Sequence, residues 1–311
     1  MTCWKNDIYP YLTPSIRSAV SSSDAENISE IRLRSGRPVT LTVCGQTLPT
    51  GCPHIVSDKE INEVFRAICE YSVHSYADKA AEGYVTLRGG HRVGVAGSIS
   101  GSCVRYVSGL NFRIARELIG CADRLLSDSL IVDCISKRRS FLIAGAPLSG
   151  KTTLLRDVCR QLSKKFRVSV ADERGELAAM YKGVPQLDIG VNTDVFDGGS
   201  RSMAVSKAVR VMSPQFIAAD EIGSSDDIAA VEYALNSGAA VIATAHGGSI
   251  EEIFSRRTIS PLLKAGGFSV VAFVEGQGCL KSVKRTESHD KAYWDDNACD
   301  DLLSCGDTFF L

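Results

Sequence analysis

A chain of 311 residues, 44% hydrophobic and 23% charged, is long enough for two domains with separate buried cores and has the composition of an ordinary soluble globular protein. The formal net charge of −1 excludes the broad electrostatic attraction that drives general nucleic-acid or membrane-surface binding, although a local basic patch stays open. Eleven cysteines without a C-x-x-C pair or zinc spacing, no charged-then-apolar leader, and no apolar run near the roughly 18 residues of a membrane span point to a reducing cytoplasmic setting. Peripheral attachment to a membrane complex would leave no such trace.

Residues 1–27 predict at most a short helix, with Pro10 and Pro14 as breakers, and form an N-terminal segment. A small α+β domain follows over 28–122. Ile31, Leu33, Val39, Leu41 and Val43 alternate with polar neighbours on either side of Ser35-Gly36-Arg37-Pro38, which predicts a β-hairpin with one solvated face. Arg32, Arg34 and Arg37 fall on that face and its turn, and a trio of this kind is as often merely solvated as it is a binding surface. Ser57 and Glu60 have capping-box spacing, so Ile61, Val64, Phe65 and Ile68 become the buried stripe of a helix. Four short alternating runs at 84–87, 93–96, 104–107 and 110–114 predict an antiparallel meander, with one tight turn at Arg88-Gly89-Gly90-His91.

From about Asp123 strands alternate with helices, which requires crossover connections and a mainly parallel sheet; this α/β domain is expected over 123–280. A helix over 123–137 leads to Phe141-Leu142-Ile143, an apolar run of the kind that forms a strand buried on both faces. That strand delivers Gly145-Ala146-Pro147-Leu148-Ser149-Gly150-Lys151-Thr152-Thr153, the G-x-x-x-x-G-K-[ST] phosphate-binding loop. Its glycines let successive N–H groups converge on phosphate oxygens; Lys151 would reach the β- and γ-phosphates of ATP and the Thr152 hydroxyl would hold Mg²⁺. Leu154, Leu155, Val158, Cys159 and Leu162 continue as a helix whose N-terminus favours anions.

A strand over 166–171 ends in Asp172-Glu173-Arg174, placing two carboxylates either toward the nucleotide or in a solvated turn. Residues 183–200, with four glycines and three aspartates, predict a long loop. A helix over 202–212 precedes Phe216-Ile217-Ala218-Ala219-Asp220-Glu221, a Walker B pattern. In that pattern Asp220 serves the Mg²⁺ shell, and Glu221 orients or deprotonates the attacking water. A helix from Ser225 closes at Gly238, and the strand over 239–244 presents His246, whose place beside two other strand ends suits a γ-phosphate sensor better than a structural histidine. The last expected strand covers 268–274, and a polar, acidic, partly disordered tail is expected over 281–311.

Several segments together resemble the stage III sporulation protein AA family, within the type II/type IV secretion ATPase superfamily. They are Glu30-Ile31-Arg32-Leu33-Arg34, Gly36-Arg37-Pro38, Gly89-Gly90-His91-Arg92-Val93-Gly94, Asn111-Phe112-Arg113-Ile114-Ala115-Arg116-Glu117 and the phosphate-binding loop. Beyond that loop come Asp172-Glu173-Arg174, Thr193-Asp194-Val195-Phe196-Asp197, Met212-Ser213-Pro214-Gln215, Asp220-Glu221-Ile222-Gly223 and Ala243-Thr244-Ala245-His246-Gly247.

The resemblance implies a RecA-like P-loop ATPase core behind a smaller α+β domain, working as a ring, a hexamer in relatives, with nucleotide between the domains. It makes Asp172 and Glu173 an Asp box, adding Asp172 to the metal shell and Glu173 to catalysis, and His246 a His box. It also implies arginine fingers, of which Arg113 is the first choice and Arg92 the second. An arginine fork beside a γ-phosphate stabilises the charge that spreads in the transition state. The partners implied are integral membrane proteins of a sporulation channel between mother cell and forespore. This chain departs from the family pattern at Asn192, where the family has arginine, and at Gly198-Gly199-Ser200-Arg201, where the family has Cys-Pro-Lys; Arg201 is positioned to supply that charge.

The leading reading is therefore an ATP-hydrolysing motor for a membrane assembly. An ATP-dependent assembly scaffold with little turnover uses the same binding residues. A single-stranded nucleic-acid-dependent ATPase ranks below both, because the C-terminal tail is acidic and shows no basic-aromatic binding module.

Overall fold

The computed structural model describes residues 4–23, 28–71, 83–100 and 103–286, arranged around two sheets. The first has six antiparallel strands in the order β3-β2-β1-β6-β5-β4. They are β1 (Ile28–Arg34), β2 (Thr40–Val43), β3 (Gln46–Pro49), β4 (Tyr84–Thr86), β5 (Arg92–Ser100) and β6 (Cys103–Arg113). The hairpin predicted around residues 35–38 is the β1–β2 pair. Ser57 and Glu60 form a reciprocal capping box on the helix Asp58–Ile68, whose Ile61, Val64 and Ile68 bury against the sheet with Ile31, Leu33 and Phe112.

Two expectations for this domain change. The runs at 104–107 and 110–114 belong to one strand, β6, whose alternation is interrupted by register shifts opposite Ala96/Gly97 and Ser98/Ile99. The N-terminal segment is, over its described residues, part of the same core: helices Trp4–Ile8 and Pro14–Ser21 contribute Ile8, Ile16 and Val20. Pro14 starts the second helix instead of breaking one, since the first turn has no backbone acceptor for an N–H and Thr13 caps it.

The second sheet has seven strands in the order β13-β12-β7-β11-β10-β8-β9. It comprises β7 (Phe141–Gly145), β8 (Val168–Asp172), β9 (Thr193–Asp197), β10 (Phe216–Ala219), β11 (Ala240–His246), β12 (Val270–Glu275) and β13 (Cys279–Arg285). Strands β7 to β12 are parallel and β13 alone runs antiparallel. Phe141 and Ile143 enter the core on one face and Leu142 and Ala144 the core on the other, so β7 is fully buried. Each large side chain among them contributes about 1.5–3 kcal/mol of transfer free energy.

The helix predicted over 123–137 is two helices, Asp123–Leu126 and Ser129–Ser136. Asp128 interrupts it by accepting a hydrogen bond from the Leu130 N–H at 2.9 Å as the N-cap of the second. The loop predicted over 183–200 contains the partly exposed edge strand β9. Of the tail expected over 281–311, residues 281–285 belong instead to β13, and 287–311 lie outside the described residues.

The domains meet along the loop that follows β8. Gly89 N–H donates to Gln186 Oε1 at 2.9 Å, Arg92 pairs with Glu176 at 2.6 Å, and Lys182 pairs with Glu70 at 2.7 Å; the Tyr181 hydroxyl also donates to Glu70.

Candidate functional site

The carboxyl ends of β7, β10 and β11 lie side by side, and the loops leaving them build the site. After β7 the chain turns tightly into the helix Lys151–Leu162. Gly150 caps that helix at φ +91°, where a side chain would be strained, and a Cβ on Gly145 would come within 2.4 Å of the Val274 carbonyl oxygen. The turn after β12 supports the loop, with Gly278 N–H donating to Ser149 O at 2.6 Å. Leu148, at φ +62°, stands 97% exposed at the tip between Pro147 and Ser149.

The Lys151 ammonium is buried and donates to Gly145 O at 3.0 Å and Ala146 O at 2.7 Å. Burial lowers its pKa from the ordinary lysine value, opposed by the nearby Asp220 and Glu221 carboxylates. The Thr152 hydroxyl donates to Asp220 Oδ2 at 2.7 Å. Thr153, one residue on, faces a small cleft shared with Glu117 and Leu118.

Glu221 follows β10 in a left-handed conformation, φ +54°, which costs a residue with a side chain about 1–3 kcal/mol. The neighbouring strand holds it there. Glu221 N–H donates to Thr244 Oγ1 at 2.7 Å, Ile222 N–H donates to Thr244 O at 2.9 Å, and the Thr244 hydroxyl donates to the other oxygen of Asp220. One Glu221 carboxylate oxygen lies 2.8 Å from His246 Nε2, and the other pairs with Arg174. His246 is itself held by Arg256, which donates to its carbonyl at 2.6 Å. The imidazole, the carboxylate and the guanidinium thus form a continuous polar line across the ends of β11, β10 and β8.

Asp172 differs from expectation. Its carboxylate is buried, and both oxygens turn back to accept the N–H groups of Glu176, Leu177 and Ala178 at 2.8, 3.1 and 2.9 Å. Burial raises its pKa above the usual carboxylate range against the pull of those bonds. Its oxygens are committed to a backbone turn, so the residue organises the loop and is not turned to the metal shell. Glu173 pairs with Arg201 at 2.8 Å, and Arg201 also reaches Asp227 at 2.7 Å, tying the β8 turn to the helix Ser225–Asn236. Arg201 thus bridges two carboxylates. Asn192, at the other departure, donates to Ser163 O at 2.8 Å and holds the base of the loop.

The two expected finger arginines part company. They face each other across β5 and β6, but Arg92 is committed to Glu176 and stacks on the Tyr84 ring at 4.0 Å. Arg113 is 60% exposed, with Glu30 3.9 Å away. The arginine that touches Glu221 is Arg174, which carries no signal in the sequence beyond directly following the Asp-Glu pair. Thr244 was likewise passed over, two residues before His246.

Among the described residues no group of three or more His, Cys, Asp or Glu is gathered to hold a metal. Thr152 and Asp220 instead present hard oxygens side by side, a set that fits Mg²⁺, which keeps waters and takes phosphate oxygens as further ligands.

The family described as Sporulation stage III, protein AA, matches residues 3–285. The chain belongs to that family. The Stage III sporulation protein AA of Bacillus subtilis (strain 168) is 34% identical over 277 residues, covering 85% of this chain and 88% of the relative. Solved structures that share the fold include an ATPase and a pilus motor. The Legionella pneumophila ATPase DotB aligns with TM-score 0.55 at 16% identity, covering 83% of this chain and 74% of that one. The pilus retraction motor PilT with bound ADP aligns with TM-score 0.57 at 17% identity, covering 83% and 76%. The core of this Sporulation stage III, protein AA, family member is thus the RecA-like α/β fold, with its mainly parallel sheet.

Proposed function

We propose that this chain binds and hydrolyses MgATP, and that it does so as an oligomeric motor that energises or assembles the sporulation membrane channel between mother cell and forespore. The observation that carries the reading is the convergence of the Lys151 loop, the Thr152–Asp220 pair and the Glu221–His246 pair on three neighbouring strand ends. Lys151 and the N–H groups of the loop neutralise the phosphates. Thr152 and Asp220 would hold Mg²⁺, which would supply further charge neutralisation. Glu221 accepts the proton of the attacking water, and His246 fixes that carboxylate through Nε2 while remaining close enough to register the γ-phosphate. Glu173 acts one step removed, through Arg201.

Arg113, exposed on the first domain, is free to reach the nucleotide of a second copy, which favours a ring whose sites are completed by assembly; a hexamer follows from the family likeness alone. No helix among the described residues is long and apolar enough to cross a membrane. Docking on integral membrane proteins from the cytoplasmic side is the setting that the family likeness suggests.

The test is steady-state ATP hydrolysis across a protein concentration series, wild type beside Glu221→Gln. Turnover that rises more than linearly with protein and disappears in the variant, with ATP binding retained, is expected. Tight binding without turnover at any concentration, with or without the membrane partner, would replace the motor by a scaffold.

A further inference from the structure

We infer that Arg174 positions Glu221 for hydrolysis, and that the first domain sets Arg174 through the Arg92–Glu176 ion pair. The inference rests on the hydrolase reading above and extends it to the means by which one domain governs the other.

The turn from Asp172 to Ala178 behaves as one rigid piece. The Asp172 carboxylate gathers three of its N–H groups from inside, and Arg156 on the P-loop helix fixes its outer side by donating to Glu176 O at 2.6 Å and Leu177 O at 2.7 Å. Two side chains leave this piece in different directions. Arg174 reaches Glu221, and Glu176 reaches Arg92 on β5 at 2.6 Å. A displacement of the first domain that pulls on Glu176 is therefore delivered, through a turn closed by Gly175 N–H donating to Asp172 O at 3.3 Å, to the guanidinium beside the proposed base.

Glu221 needs such a hold. A glutamate carboxylate swings on three side-chain torsions, and the contact with His246 fixes only one oxygen. Arg174 fixes the second, which sets the plane of the carboxylate and so the direction of the lone pair that takes the proton. Its side chain is 58% exposed, so the pair contributes little to folding stability; its use is in orientation. Arg92 is suited to the opposite end of the linkage. Its side chain is only 17% exposed, its guanidinium stacks on Tyr84, and it leaves β5, an interior strand of the first sheet.

The experiment is a double-mutant cycle on ATP turnover by the full chain, with binding of a fluorescent ATP analogue and thermal melting measured in parallel. Arg174→Ala is expected to lower kcat about tenfold to a hundredfold while KM, analogue binding and Tm stay close to wild type. Arg174→Lys, which restores the charge but not the fork, is expected to recover part of kcat. Arg92→Ala should lower kcat by a smaller factor in the wild-type background and by none in the Arg174→Ala background. Effects that multiply would instead make Arg92 an independent contributor and overturn the linkage. Unchanged kcat in Arg174→Ala, with wild type turning over, would overturn the positioning role and leave the hydrolase reading intact. Absence of turnover in wild type would overturn both. Should Arg174→Ala melt early, the Lys variant decides: loss of kcat at unchanged Tm supports the role, and wild-type kcat rejects it.

Discussion

The P-loop and the turn after β8 lie at the same end of one sheet and are held in opposite ways. The P-loop is secured from within its own domain: Lys151 bonds carbonyls five and six residues back, Ser149 N–H bonds Ala146 O at 3.2 Å, Gly278 N–H bonds Ser149 O at 2.6 Å, and the helix starts on a glycine. The β8 turn has one local organiser, Asp172, and then a set of distant partners, with Arg92 84 positions away from Glu176 and Gly89 97 positions from Gln186. A loop held within its own domain keeps its shape wherever the other domain lies. A loop held by another domain responds to where that domain is.

The largest effect that would sharpen this contrast is chemical. Lys151→Ala should cut ATP turnover about a thousandfold, the upper range for a preorganised charge at a transition state, while the melting temperature holds because a buried cation has been removed. Turnover within tenfold of wild type would break the assignment of the P-loop. The next is structural. Asp172→Ala leaves three N–H groups of a buried turn without an acceptor and should lower unfolding free energy by about 2–4 kcal/mol in urea titrations. An unchanged midpoint would mean the turn is held from outside after all.

A smaller effect appears with pH. Burial pushes the Asp227 carboxyl up, but the N–H groups of Ser224 and Gly223 and the Arg201 charge outweigh it and hold the carboxyl below the ordinary range. A carboxyl with a depressed folded-state pKa stabilises above its unfolded pKa, about 4, and that stabilisation is lost as pH falls through the lower folded value. Asp227→Asn should therefore flatten the fall of Tm below about pH 4 and, because Asp227 and Arg201 are both buried, cost about 1–3 kcal/mol at neutral pH. The smallest concerns the seam itself. Arg92→Ala removes a partly exposed pair worth about 1 kcal/mol or less, so Tm should barely move while limited proteolysis of residues 179–191 speeds up. Equal proteolysis rates would show that the other seam contacts suffice.

What could be seen in the sequence follows the same division. The P-loop, the strands β7, β10 and β11 and the capping box at Ser57 depend on residues within a few positions of each other, so spacing alone exposes them. β13 was hidden because a bulge opposite Phe273 and Val274 passes over Lys281, leaving Leu280 and Val283 three residues apart instead of two or four. β9 has one neighbour, β8, and a half-exposed pattern that looks like loop. Asp172 has the residue type of a metal ligand, and only the path of the backbone after it shows that its oxygens face inward. Among the arginines, charge and family segment single out Arg92 and Arg113, yet which carboxylate each one meets is decided by tertiary pairing.

One further property follows from the place of β7 in its sheet. It has a parallel partner on each side, β11 and β12, and all five of its residues are buried. Its amide hydrogens can therefore trade with deuterium only when the whole domain comes apart, whereas β9, bonded along a single edge, can open alone. Deuterium uptake at Leu142–Ala144 is accordingly a gauge of global unfolding. The loop that carries Lys151 thus begins on a segment that exchanges only with global unfolding, and the loop facing the other domain runs into a strand that can open on its own.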